Sequence, residues 1–153
     1  MKIIGFTASP RRNGSTAWTV EKILEGARSA GADAQLFCAS QLSIEPCQGC
    51  LGCTDGSGCI LTDDMQQIYT ALADADALVF GAPIYMGQMC AQAKAFTDRL
   101  FAQITPRFSP RFKEYNAGKR LVLAFTQGNP NADMFRTEHT CVSFYIFCRL
   151  YLI

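Results

Sequence analysis

Short continuous apolar runs alternate along this chain with stretches whose apolar residues return every third or fourth position. Lys2 to Thr7 is the first run and reads as a buried strand. The turn-rich segment Ala8–Gly14 follows. Ser15 or Thr16 then caps a helix to about Ala30, with Trp18, Ile23, Leu24 and Ala27 roughly on one face and Gly31 as its stop. Asp33 to Cys38 reads as a second strand, and Ser40 to Thr62 as irregular. Asp63-Asp64 opens a second helix, placing acidic groups at its positive end, and that helix carries Met65, Ile68, Tyr69 and Leu72. Ala77 to Ala82 is apolar throughout, as expected of a central strand in a parallel sheet. A loop at Pro83–Gly87, a helix from Cys90 to Ile104, a loop from Thr105 to Gly118, a strand from Lys119 to Thr126 and a polar loop at Gln127–Asp133 complete the pattern. Beyond them, Cys141 to Cys148 is rich in aromatic and β-branched residues and is a candidate fifth strand, reached through a very short helix near Ala132–Glu138.

Alternation of strand and helix predicts an α/β fold: a doubly wound parallel sheet with helices on both faces, in one domain spanning residues 1–153. Ligands of such sheets bind outside the carboxyl ends of the strands. The loops Ala8–Gly14, Ser40–Thr62, Pro83–Gly87 and Gln127–Asp133 all follow strands, so they are expected to share one rim.

Charge removes some classes of function. With 14 basic and 13 acidic residues the net charge is +1, which gives no electrostatic reason to expect nucleic acid or an anionic membrane as partner. No signal peptide is visible, and the apolar tail is too short to span a bilayer and contains Arg149. These features place the chain in the cytoplasm. Its eight cysteines then read as metal-binding or catalytic rather than as structural disulfides.

Two segments carry candidate chemistry. In the first loop, Ser9, Ser15 and Thr16 offer hydroxyls, Asn13 an amide, and Arg11 or Arg12 a positive charge. The backbone N–H groups after Gly14, at a helix start, favour an anion at the same place. The segment is neither G-x-G-x-x-G nor a Walker A loop, which argues against a dinucleotide fold or a P-loop NTPase. An ordinary capped helix start is the plain alternative.

The second segment is CQGCLGCTDGSGC, in which Cys47, Cys50, Cys53 and Cys59 follow C-x2-C-x2-C-x5-C within a cysteine-rich loop over 44–62. Its first three cysteines match the compact bacterial iron–sulfur spacing. Gly49, Gly52, Gly56 and Gly58 let the loop wrap closely. A [4Fe-4S] cluster, a four-cysteine zinc site and free thiols without metal all remain open. Zinc more often takes two separated C-x2-C pairs. Elsewhere, Lys94, Asp98 and Arg99 read as a solvated, salt-bridged helix face. His139 reads as structural or exposed, Cys38 as a small core residue, and Met86 and Met89 as packing, while Cys90 lies close to the Pro83–Gly87 loop and fits a buried helix position equally well.

Taken in order, Gly5–Thr16, the four-cysteine run, Asp63-Asp64-Met65, Gly81-Ala82-Pro83-Ile84-Tyr85 and Lys94–Arg99 resemble the iron–sulfur flavoproteins, within the NADPH-dependent FMN reductase group of flavodoxin-like folds. The resemblance covers roughly residues 1 to 135. It implies strand order 2-1-3-4-5 and FMN at the carboxyl edge. By position, Ser9, Arg11, Asn13, Gly14, Ser15 and Thr16 would hold the phosphate. Pro83, Ile84, Tyr85, Met86 and Gly87 would lie along the isoalloxazine ring, and Thr126 and Gly128 would flank it. Cys47, Cys50, Cys53 and Cys59 would hold a [4Fe-4S] cluster that exchanges electrons with FMN. The resemblance further implies a ferredoxin-like electron donor, a small-molecule or protein acceptor, and a homo-oligomer, dimer or tetramer. An NAD(P)H-dependent FMN or quinone reductase without a cluster, and a non-enzymatic flavodoxin-type carrier, are the alternatives. No catalytic acid or base is expected. The C-terminus reads as atypically short for the family.

Overall fold

The computed structural model describes residues 1–104, 118–131 and 133–135. Four parallel strands make the sheet: β1 (Lys2–Thr7), β2 (Asp33–Cys38), β3 (Ala77–Tyr85) and β5 (Arg120–Thr126). They lie in the order β2-β1-β3-β5, and a two-residue strand, β4 (Gln88–Met89), folds back antiparallel on the end of β3. This is the expected 2-1-3 arrangement with the 120–126 strand next to β3. The candidate fifth strand at 141–148, His139, Cys141 and Cys148 lie outside the described residues.

Side-chain alternation divides the core between the two faces of the sheet. Ile4, Phe6, Leu78, Phe80 and Ala82 point to the face covered by α2 (Met65–Asp74) and α3 (Ala91–Arg99). Phe6, Phe80 and Phe96 stack there, with the Phe6 and Phe96 centroids 4.0 Å apart. Ile3, Ala77, Val79 and Ala124 meet Val20 and Leu24 of α1 (Ser15–Ser29) on the other face. Helices on both faces make the fold doubly wound, in the flavodoxin-like manner.

Several boundaries differ from expectation. β3 runs three residues past Ala82, to Tyr85, because Pro83 pairs with Thr126 on β5 and Ile84 and Tyr85 pair with Met89 and Gln88 on β4. The segment 83–85 is therefore strand, and the loop narrows to Met86-Gly87, whose φ angles of 51° and 82° make the tight turn into β4. The long helix expected over 90–104 is two pieces, α3 and α4 (Phe101–Ile104), divided at Leu100. Spacing puts Trp18 on the apolar face of α1, but it is 64% exposed; the buried stripe is Thr16, Ala17, Val20 and Leu24. Among the described residues no helix is long and apolar enough to cross a membrane.

Gly81 sets the height of α1 above the sheet. A Cβ built there would lie 2.3 Å from Val20 Cγ2 and 3.1 Å from Thr16 Cγ2. Hydrogen alone at this position lets the first turn of α1 rest on β3, which places the first loop over the carboxyl edge.

Candidate functional site

Three strand ends converge on one open cleft of about 610 Å³. Arg11 and Ser15 enter from the first loop, Pro83, Ile84 and Tyr85 from the end of β3, and Phe125 to Pro130 from the end of β5 and the loop beyond. Of the residues expected along a flavin, Arg11, Ser15, Pro83, Ile84, Tyr85, Thr126 and Gly128 line this cleft.

The others stand behind it or beside it. Ser9 is buried, and its hydroxyl accepts the Arg11 amide at 3.2 Å, holding the loop in shape. Gly14 is the N-cap of α1, which has no side-chain cap, and a Cβ on it would come within 3.3 Å of Ser9 Oγ and Arg11 Cβ. The amides of the first turn have no intrahelical partner by construction and sit beside Arg11 and Ser15. Thr16, buried, shares a 2.6 Å hydroxyl contact with Thr126, tying the loop to β5. Asn13 and Met86 are exposed, and neither they nor Gly87 line the cleft. Phe125, Gln127 and Pro130 also line it. Their position directly around Thr126 was the available signal for them.

The cysteine loop begins at the carboxyl edge, after β2, but its thiols do not open into this cleft. Cys47, Cys50, Cys53 and Cys59 all line a second, smaller pocket of about 100 Å³, closed by Asp98, Arg99, Phe101 and Ala102. The two sites share no lining residue. Helix α3 connects them. Its N-cap, Cys90, is buried by the first loop and donates its thiol to the Ala8 carbonyl at 3.2 Å, while its last residue, Arg99, closes the cysteine pocket. At 1.5 Å per residue the helix spans about 13 Å. Burial pushes the Cys90 thiol above its ordinary pKa, as suits a packing residue.

The loop achieves its wrap through left-handed backbone at Gly49, Leu51, Gly56 and Gly58. Cys47 and Cys50 are exposed, and Cys53 and Cys59 half-buried. Among the described residues, no three Cys, His, Asp or Glu side chains converge on the position of a single ion. A four-iron cluster asks for something different: each cysteine bonds a separate iron, so the sulfurs surround a volume. Four thiols around one pocket fit that demand.

A buried ion pair anchors the loop. The Arg99 guanidinium donates to both oxygens of Asp63, Nη1 to Oδ2 at 2.6 Å and Nη2 to Oδ1 at 2.9 Å, and Nη1 also donates to the Glu45 carbonyl at 2.8 Å. Asp63 accepts the Glu45 and Met65 amides, and Asp64 accepts the Ser43 amide at 2.7 Å. Both ends of the cysteine loop are thus fastened to α3. Burial pushes the Asp63 carboxyl up, but hydrogen bonds from Arg99 and from the Glu45 and Met65 amides outweigh it and hold it below the usual range. The Tyr69 hydroxyl donates to the Arg99 carbonyl at 2.7 Å, and burial pushes its pKa well up. The expectation of a solvated face over Lys94, Asp98 and Arg99 holds for the exposed Lys94–Asp98 pair and fails for Arg99, which is 1% exposed. Arg99 lies one residue past the solvent-facing pair, and the helix turns it inward toward Asp63.

The sequence model of the NADPH-dependent FMN reductase family matches residues 1–150. The chain belongs to this family. Within it, an iron-sulfur flavoprotein of Methanosarcina thermophila is 36% identical over 99 residues, which cover 65% of this chain and 52% of that one. An iron-sulfur flavoprotein of Methanocaldococcus jannaschii is 30% identical over 140 residues, 91% of this chain and 69% of that one. The chain thus spans about half the length of the first relative. The crystal structure of an NADH:FMN oxidoreductase superposes with a TM-score of 0.68 at 21% identity, over 95% of this chain and 68% of that one. At that identity the likeness is one of fold.

Proposed function

We propose that the chain is a flavin-dependent oxidoreductase that binds FMN in the cleft at the carboxyl edge and holds a [4Fe-4S] cluster on Cys47, Cys50, Cys53 and Cys59. The observation that carries this reading is the pairing of two sites in one fold. One is an anion-suited cleft with aromatic walls, and the other is a pocket lined by all four clustered thiols. Membership of the FMN reductase family and the names of the iron-sulfur flavoprotein relatives support it.

The residues divide the work. Arg11, Ser15 and the first-turn amides of α1 suit the doubly charged phosphate, with Ser9 and Gly14 shaping the loop. Tyr85 and Phe125 offer aromatic surface, and Pro83, Ile84 and the Gln127–Pro130 segment form the walls on either side of the ring site. When bound, FMN and the cluster supply exchange between two-electron and one-electron chemistry. The chain contributes orientation and a fixed spacing through α3. Electron transfer itself needs no acid or base, and none is assigned. A ferredoxin-like protein is the proposed donor, with a small molecule or protein as acceptor, in a cytoplasmic homo-oligomer.

An NAD(P)H-dependent FMN or quinone reductase is the second reading, favoured by the family's own description. Anaerobic reduction of the wild type and of Cys47→Ser separates the two. A one-electron donor should reduce the flavin of the wild type and fail with Cys47→Ser, although that variant still binds FMN. NAD(P)H reducing both proteins equally fast, with the one-electron donor reducing neither, would favour the second reading.

A further inference from the structure

Arg99 is a costly residue to bury, and Asp63 alone does not account for it. Its side chain is 0% exposed, and its fork is bonded twice to Asp63 and once to Glu45. Nε–H is left over, a buried donor without a hydrogen-bond partner. An unmet buried donor on a charged group is destabilising, so its persistence asks for an explanation. Arg99 lines the cysteine pocket together with Cys47, Cys50, Cys53 and Cys59. Among the described lining residues, Asp98 is an anion paired with Lys94 at the surface, and Arg99 supplies the positive charge.

We propose that Arg99 is a positioning and tuning residue of the cysteine site: it fastens both ends of the loop through Asp63 and Glu45, and gives its free Nε–H and its charge to the ligand sulfurs. This rests on the cluster reading. Four thiolates make the bound cluster anionic, and reduction by one electron adds a further negative charge. A cation and an N–H donor at the sulfurs stabilise the reduced form more than the oxidised one, which raises the potential. Asp63 opposes this by neutralising part of the guanidinium charge. The pair then acts as a set point: removing Arg99 and removing the Asp63 charge should shift the potential in opposite directions.

The test is an anaerobic redox titration with dithionite, following the reduced cluster by electron paramagnetic resonance, on wild type, Arg99→Gln and Asp63→Asn. At a fixed potential the reduced-to-oxidised ratio should fall about tenfold in Arg99→Gln, equal to about 59 mV for one electron. In Asp63→Asn the ratio should rise, and an Asp63→Asn variant that fails to fold or to hold iron overturns the set-point half of the proposal. A merely structural role would move both variants the same way or neither, and either result overturns the proposal. Loss of iron from Arg99→Gln, with far-ultraviolet circular dichroism and FMN content intact, supports the positioning half. Should Arg99→Gln fail to fold, Arg99→Lys takes its place; it keeps the charge, loses Nε–H, and should shift in the same downward direction. Misfolding of Arg99→Lys as well overturns the proposal in favour of a structural role. Wild type that holds no iron or sulfide after reconstitution overturns the cluster reading itself. Wild type that holds them while its variants keep an unchanged potential overturns the Arg99 proposal alone.

Discussion

Thr16 Oγ1 and Thr126 Oγ1 lie 2.6 Å apart and join the first turn of α1 to the last residue of β5. These residues are 110 positions apart in the chain. Their contact holds the loop carrying Arg11 and Ser15 against the strand end carrying Phe125 and Thr126, so it fixes the width of the cleft. Thr126→Val keeps the shape and leaves the Thr16 hydroxyl, 2% exposed, without this partner. The expected cost is about 1–3 kcal/mol, and with about half of that falling on the bound state FMN affinity should weaken roughly two- to tenfold. Quenching of flavin fluorescence measures it. Unchanged affinity would mean that the hydroxyl pair does not set the cleft.

Gly81 makes the same contact possible from below. Gly81→Ala places a methyl group 2.3 Å from Val20 Cγ2 and should destabilise the fold by about 1–3 kcal/mol, read from the urea midpoint. Adding Val20→Ala should restore part of the loss. FMN affinity should fall with Gly81→Ala too, since α1 must lift to make room.

Acid should loosen the cysteine loop through Asp63. Its folded pKa lies below the ordinary value of 3.8, so the protonated carboxyl is the form that folding disfavours. The resulting stability is fully present above about pH 4 and is lost as pH falls through the depressed folded pKa. Asp63→Asn should abolish this acid-sensitive component. It should also cost about 3–5 kcal/mol at neutral pH, because the buried Arg99 loses its counter-charge. Denaturant titrations at pH 7 and pH 3 check both signs. A variant as acid-sensitive as wild type would move the effect elsewhere.

Tyr69→Phe removes the hydroxyl that donates to the Arg99 carbonyl at 2.7 Å. About 1 kcal/mol of stability should go with it, without loss of FMN, since Tyr69 does not line the cleft. Parallel denaturation and flavin-content measurements separate the two effects.

The strand and helix alternation was legible because parallel strands buried on both faces leave continuous apolar runs, as in Ala77 to Ala82. The cysteine set was legible because its members sit close in sequence, and the structure brings all four to one pocket. What the chain order hides is long-range. Lys94 and Asp98 announce a solvated helix face, and nothing local shows that Arg99 turns inward to a carboxylate 36 residues away. Pro83 ordinarily argues for a strand end, yet it pairs with Thr126 on β5, and β4 folds back to pair with Ile84 and Tyr85 beyond it. Trp18 fits an apolar stripe by spacing, while Gly81 draws Thr16 and Val20 to the sheet instead. The separation of the cysteine pocket from the cleft follows from the path of the loop down α3, which spacing does not encode.

The most direct test of the central claim is the cofactor content of protein purified without oxygen. The account predicts one FMN with about four irons and four acid-labile sulfides per chain, and predicts that Cys47→Ser, Cys50→Ser, Cys53→Ser and Cys59→Ser each lose the iron and keep the flavin. Zinc without sulfide, or flavin alone in the wild type, would contradict it.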